Sequence, residues 1–252
     1  MKMNKFQICN VEMFYQPKVN LKTNDIEGVE ALARFIDKNE KFINTEKVFL
    51  EVNNEEDIVS LDKYLIGRVL EDLLELKYKT NKIINTSINL STKKIESINF
   101  REDIEGLFLN RENFIKFIEF EITEYFEINN TIKIKNEIEF LHEKGFKVSI
   151  DDLGSKYNKF DLIDLLCVDT IKIDRNIINN MNKNKYFLKT IIDKAHDSNI
   201  KVIAEGVEDR RTYEELKDIS CDAIQGFYIY EPMSLNCLID LINTMESLSI
   251  TS

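Results

Sequence analysis

Carboxylates, two amides and a lysine recur in this chain at one kind of place, the polar end of a short β-branched or aromatic run. In order they are Glu30, Asn89, Glu121 with Glu124, Asp151 with Asp152, Lys172, Glu205 with Glu208, and Gln225. If the runs are parallel strands of one barrel, these ends converge on a single mouth, where barrel enzymes place their chemistry. So many like charges cannot stand together unaided. At an effective dielectric of ~20, two of them ~4 Å apart repel by roughly 4 kcal/mol. Divalent cations remove the difficulty, and oxygen donors without His or Cys select hard ions such as Mg²⁺, Mn²⁺ or Ca²⁺ over zinc. Adjacent Asp151 and Asp152 suit a pair of ions, one carboxylate bridging while its neighbour binds the second. Two ions ~3.5–4 Å apart form a clamp for in-line attack on a phosphodiester. Lys172 can then orient or deprotonate the water, or neutralise charge in the transition state.

Each residue alone has an ordinary structural reading. A single acidic strand end is commonly a helix cap, Asp151-Asp152-Leu153-Gly154 could be a turn, and Lys172 could pair with Asp174. That reading has to hold at every strand end at once, which favours a shared site.

The elements that must position these residues follow from periodicity. Eight strand-like runs lie at 11–16, 26–35, 82–90, 117–123, 146–151, 169–174, 201–206 and 223–229. The first two are joined by Leu21-Lys22-Thr23-Asn24-Asp25, which reads as a hairpin turn and sets one strand antiparallel. The others alternate with amphipathic helical stretches at 60–79, 92–109, 129–145, 184–199 and 209–219, with stops at Lys144-Gly145 and Ser198-Asn199. Strand and helix in alternation imply parallel pairing with right-handed crossovers. The expected fold is an α/β, TIM-like (β/α)8 barrel with an irregular N-terminal hairpin. Several runs read as continuously apolar up to their polar ends, as strands buried on both faces do.

Bulk properties narrow the function. The 252 residues suit one barrel domain, 1–252, with its core at about 10–245. A net charge of −11 with no basic stripe argues against polymeric nucleic acid as partner. No run reaches the roughly 18 to 20 apolar residues of a membrane span, and residues 1–10 carry no secretory-type apolar stretch, so a cytoplasmic chain is expected. Four separated cysteines, Cys9, Cys167, Cys221 and Cys237, read as free thiols. His142 and His196 fall inside helical patterns, on the surface or half-buried, and GxSxG, Walker and HExxH motifs are absent.

The segments YQPKV (15–19), GVEALARF (28–35), SINLS (87–91), FEITE (120–124), IDDLG (150–154), VDTIKID (168–174), AEGVED (204–209) and QGFYIYEP (225–232) together resemble the EAL domain, in order and spacing. The resemblance implies a metal-dependent phosphodiesterase that opens cyclic di-GMP (c-di-GMP) to linear pGpG by two-metal in-line water attack. It implies that Glu30, Asn89, Glu121 and Asp151 hold one Mg²⁺ or Mn²⁺ and that Asp151, Asp152 and Glu205 hold the second, with Ca²⁺ bound but poorly active. Lys172, Glu205 and Asp152 take the catalytic places, beside the attacking water and the second metal. Arg34 resembles a phosphate contact, Gln16 a nucleotide contact, and Glu208 and Gln225 groups behind the ligands or beside the guanine. Glu124 resembles the residue that steadies the loop after Asp152. A homodimer is implied, with residues 175–188 near its interface. DDLGSKYNKF (151–160) departs from the usual DDFGTGYSSL, Lys156 standing for a glycine and Asn158 and Lys159 for serines. The alternative is a silent receptor that captures c-di-GMP and signals through a partner. Such receptors usually lack a metal ligand or the lysine, and here all are present.

Overall fold

A computed structural model describes residues 8–43, 45, 48, 55–123, 131–153 and 166–250, without the side chains of 8, 9, 182, 183 and 246–250. The runs rich in β-branched and aromatic residues become strands, and the amphipathic stretches become helices. In chain order these are β1 (Ile8–Asn20), β2 (Ile26–Asp37), β3 (Phe42–Ile43), α1 (Glu55–Thr80), β4 (Thr86–Ser91), α2 (Thr92–Ile95), α3 (Phe100–Phe108) and β5 (Ile118–Thr123). There follow α4 (Thr131–Lys144), β6 (Lys147–Leu153), β7 (Thr170–Ile173), α5 (Arg175–Asn179), α6 (Met181–Asp197) and β8 (Lys201–Glu205). The chain closes with α7 (Arg210–Asp218), β9 (Ala223–Gln225), β10 (Met233–Ser234) and α8 (Leu235–Ile250).

Eight of these strands close a ring in the order β1, β2, β4, β5, β6, β7, β8, β9 and back to β1. From β2 round to β9 every pairing is parallel. β1 alone runs antiparallel to both its neighbours, β2 and β9. The fold is the TIM-like barrel expected, including its irregular start.

Three details differ from the sequence reading. The helix expected over 92–109 is broken into α2 and α3; the Ser97 hydroxyl donates to the Lys94 carbonyl there, offering the backbone an alternative to a continuous helix. The apolar spacing Leu235, Leu238, Ile239, Ile242 makes the C-terminal helix α8, which the reading omitted. The strands also alternate after all. Ile88, Leu90, Phe120, Ile122, Val148, Ile150, Ile171 and Ile173 point outward and are buried under the helices. The residues between them point into the barrel and are polar.

α1 shows how the outer layer is held. Leu61, Leu65, Val69, Leu73 and Leu76 recur at spacings of three and four and are all buried. Each such side chain contributes roughly 1.5–3 kcal/mol of burial. At the barrel's N-terminal end one device occurs twice. Asp169 accepts from the Val148 amide at 2.8 Å and pairs with His142 at 2.8 Å, and Asp222 accepts from the Val202 amide at 2.8 Å and pairs with His196 at 2.9 Å. Both histidines are half-buried and tie a helix to the start of a strand, on the opposite face from the carboxylates.

Candidate active site

Parallel strands send alternate side chains inward, so the register decides which residues meet. Glu30 lies opposite Ser87, Asn89 opposite Glu121, and Glu121 opposite Ser149. Ser87 with Asn89, Glu119 with Glu121, Ser149 with Asp151, and Thr170 with Lys172 therefore line the lumen in pairs. Gln16 and Lys18 face them from β1. TIM barrels usually fill this space with branched apolar side chains. Here it is a polar column.

Lys172 stands at the centre of its upper end, 1% exposed along its side chain. Its Nζ lies 2.7 Å from Glu205, 2.8 Å from Glu121, 2.9 Å from Asp151 and 3.1 Å from Glu30. Asp174, the alternative partner, instead caps α5 by accepting from the Asn176 amide at 2.7 Å. Asn89 donates to Glu30 at 3.0 Å, and Gln225 donates to Glu30 at 2.6 Å and to Gln16 at 3.0 Å. Gln16 in turn donates to the Tyr230 carbonyl at 3.0 Å.

A regular strand would turn Asp151 and Asp152 to opposite faces. The β6–β7 register shifts between Ile150 and Leu153, and Asp152 takes a left-handed backbone, φ 50°. That bulge brings both carboxylates to the site at a cost of about 1–2 kcal/mol. One oxygen from each of Asp151, Asp152 and Glu205 then lies within 4.8 Å of the other two. Behind them the loops after β8 and β9 interlock through Val207 N to Gln225 O at 3.2 Å and Tyr228 N to Val207 O at 3.0 Å. Gly226 makes that approach possible, since a Cβ there would fall 2.2 Å from the Val207 carbonyl.

The electrostatics divide the carboxyls. Burial, and then Asp151, push Asp152 up to about 7. Burial lifts Glu205 well above the usual carboxylate range, and burial together with Glu121 raises Glu30. Burial also lifts Glu121, but Lys172 and Lys18 outweigh it and hold that carboxyl down to about 2. An all-oxygen set with several carboxyls pressed toward protonation fits divalent cations, whose binding would displace those protons.

Two clefts open beside the cluster. One, of 260 Å³, is lined by Glu30, Arg34, Asp62, Asn89, Ser91 and Asp151 among others. The other, of 390 Å³, includes Gln16, Asp152, Glu205, Glu208, Gln225 and Phe227. The structure thus brings together Glu30, Asn89, Glu121, Asp151, Asp152, Lys172 and Glu205, with Arg34 on one flank and Gln16, Glu208 and Gln225 on the other. Glu124 and the 155–159 departures lie outside the described residues.

The EAL domain family matches residues 3–232, nearly the whole sequence. The chain belongs to the EAL family. It is 28% identical over 239 residues to the probable cyclic di-GMP phosphodiesterase PdeG of Escherichia coli, covering 91% of this chain and 46% of that protein. It is 29% identical over 223 residues to the cyclic di-GMP phosphodiesterase PdeA of Borreliella burgdorferi, covering 87% and 33%. The chain therefore spans less than half the length of these relatives. The EAL enzyme Bd1971, solved with cAMP and cyclic-di-GMP bound, superimposes with a TM-score of 0.85 at 25% identity, over 93% of this chain and 65% of that one.

This EAL domain also carries groups in or beside its site that the strand ends did not announce: Lys18, Ser87 and Glu119 below the cluster, and Asp62 beside it on α1. Asp62 is 2% exposed and accepts from the Ser91 hydroxyl. Burial raises its carboxyl to about 7, against the lowering by Ser91 and Lys94. Between pH ~4 and ~7 the folded protein holds that proton while the unfolded chain releases it, so stability falls as pH rises through this window. Asp62→Asn keeps the shape and removes the charge. It should raise the Tm at pH 8 and by much less at pH 5. Thermal melts showing the same shift at both pH values would count against this account.

Proposed function

We propose that this EAL domain hydrolyses c-di-GMP to pGpG, a water oxygen bonding to one phosphorus as that phosphorus loses its bond to the 3′ oxygen. The observation that supports the reading most is the ring of Glu30, Glu121, Asp151 and Glu205 around Lys172, between two clefts. A ligand with two nucleotide halves needs two lobes with its scissile phosphate between them.

Glu30, Asn89, Glu121 and Asp151 would hold one ion, and Asp151, Asp152 and Glu205 the other. Bound Mg²⁺ or Mn²⁺ supplies Lewis-acid polarisation of the phosphodiester and makes the attacking water acidic. Lys172 steers that water and offsets the negative charge that grows on the phosphoryl oxygens. Arg34, on the rim of the first cleft, is a cation for the phosphate, and its guanidinium also lies 5.9 Å from the Phe14 ring centre. Gln16, Glu208 and Gln225 line the second lobe, where amide and carboxylate groups suit the guanine edge.

The test is to incubate the protein with c-di-GMP and Mg²⁺ or Mn²⁺ and follow pGpG by chromatography. Turnover should vanish in excess EDTA and be low with Ca²⁺, whose looser geometry suits catalysis poorly. Binding of c-di-GMP without any pGpG would favour the silent receptor. Full cleavage in excess EDTA, metal content checked, would remove the ions from the mechanism.

We also infer a homodimer that uses the α5–α6 face. Tyr186 and Phe187 on α6 are 92% and 49% exposed. A purely monomeric sedimentation profile at tens of micromolar would rule this out. The compartment inferred is the cytoplasm, where a second messenger acts, and cell fractionation checks it. Among the described residues no helix is long and apolar enough to cross a membrane.

A further inference from the structure

Below the carboxylate ring the barrel holds a second lysine. Lys18 is 4% exposed, and β1 delivers it from the antiparallel direction, two residues beyond Gln16. Its ammonium is pinned by the Ser87 hydroxyl, by Glu119 at 3.2 Å and by Glu121 at 3.1 Å. Glu121 is wholly buried, and its two oxygens have different partners. Oε1 faces down to Lys18, while Oε2 faces up to Lys172 at 2.8 Å.

We propose that Lys18 is a positioning residue for the metal site: by holding the lower oxygen of Glu121 from the barrel floor, it presents the upper oxygen to the ions in one orientation. The inference rests on the metal-dependent reading given above.

A buried carboxylate with one anchored oxygen cannot swing, whereas one held only from above can turn both oxygens toward Lys172. A ligand that must first be reoriented binds more weakly, which is why groups that orient metal ligands typically carry about 10- to 100-fold in affinity. The anchor is itself fixed. Ser87 and Glu119 sit on β4 and β5 in register with each other, so the ammonium has three partners converging from two strands and little room to follow a moving Glu121. A cleft of 230 Å³ reaches Lys18, Ser87 and Glu119 from below, but Glu121 is itself wholly buried, so water would have to enter the barrel to replace the contact.

The rival account gives Lys18 a structural role only, as the counter-charge of Glu119. Three variants separate the two. Lys18→Met keeps the length of the side chain and removes the ammonium. The double variant Lys18→Met with Glu119→Gln also removes the carboxylate left unpaired, so it keeps the fold if the single variant does not. Glu119→Gln alone leaves Lys18 under Glu121. Mn²⁺ binding is measured by calorimetry on the full chain without substrate.

Positioning requires both Lys18 variants to bind Mn²⁺ about 10- to 100-fold more weakly and Glu119→Gln to stay within about threefold of the wild type. Turnover of the Lys18 variants should recover as Mn²⁺ is raised, since every ligand is still present. Wild-type affinity in the double variant would overturn the proposal and leave Lys18 as a counter-charge. A wild-type protein that binds no Mn²⁺ would overturn it together with the metal-dependent reading, whereas unchanged affinity in the variants overturns it alone.

Discussion

Asp151→Ala should abolish metal binding and turnover together. Asp151 is the one carboxylate common to both proposed ligand sets. It lies 2.9 Å from Lys172 and groups with Asp152 and Glu205 within 4.8 Å. Loss of the ions would forfeit several kcal/mol of transition-state charge stabilisation, a fall in turnover of at least about 10³-fold. The fold should not suffer. The Asp151 charge helps to push Asp152 and Glu205 up, so its removal relieves repulsion in the metal-free protein. Metal content by elemental analysis, the Tm, and pGpG release give the three readouts. Asp151→Ala that keeps two ions per chain, or more than about a tenth of wild-type turnover, would contradict the assignment.

The upper half of the site was legible because each strand ends on a polar residue where an apolar one would serve the core. The lower half is legible too, by the two-residue period of a strand face. Ser87, Glu119, Ser149 and Thr170 each stand two residues before a site residue, and that is the spacing of one strand face. Reading the strands as apolar on both sides hid them; the alternation in FIEFEIT (117–123) is evident once the lumen is known to be polar. Lys18 was harder, since on an antiparallel strand the step from Gln16 runs down the barrel rather than up. Asp62 sits with Ile58, Leu65 and Val69 on the buried stripe of α1, so helical spacing marked it as an interior charge. Nothing in the letters Asp151-Asp152 announced a bulge. The left-handed backbone at Asp152 is imposed by the β6–β7 register shift, a long-range feature that local propensity does not encode.

Lys172→Ala should separate binding from chemistry. Its ammonium touches four carboxylates at 2.7–3.1 Å in a fully buried setting, and those carboxylates raise its own basicity against the lowering by burial. Without it the metal-free protein keeps buried carboxylates with no shared cation. Removing one partner of such a group costs about 3–5 kcal/mol, which in a domain of this size is roughly a 10 °C fall in Tm. Divalent ions should reverse that fall, because they supply the missing charge to the same oxygens. Metal affinity is therefore retained or increased in Lys172→Ala. c-di-GMP binding in the presence of Ca²⁺ should also persist, since the ligand sits in the two flanking clefts. Turnover should not persist. A positioned proton-transfer or charge-stabilising group carries about 10²- to 10⁴-fold in rate, felt in the transition state and not in the ground state. The expected pattern is a large fall in kcat, little change in KM, and a Tm that depends on metal more steeply than that of the wild type. Near-normal kcat in Lys172→Ala would remove the lysine from the chemistry and leave it only the task of holding four carboxylates together until the ions arrive.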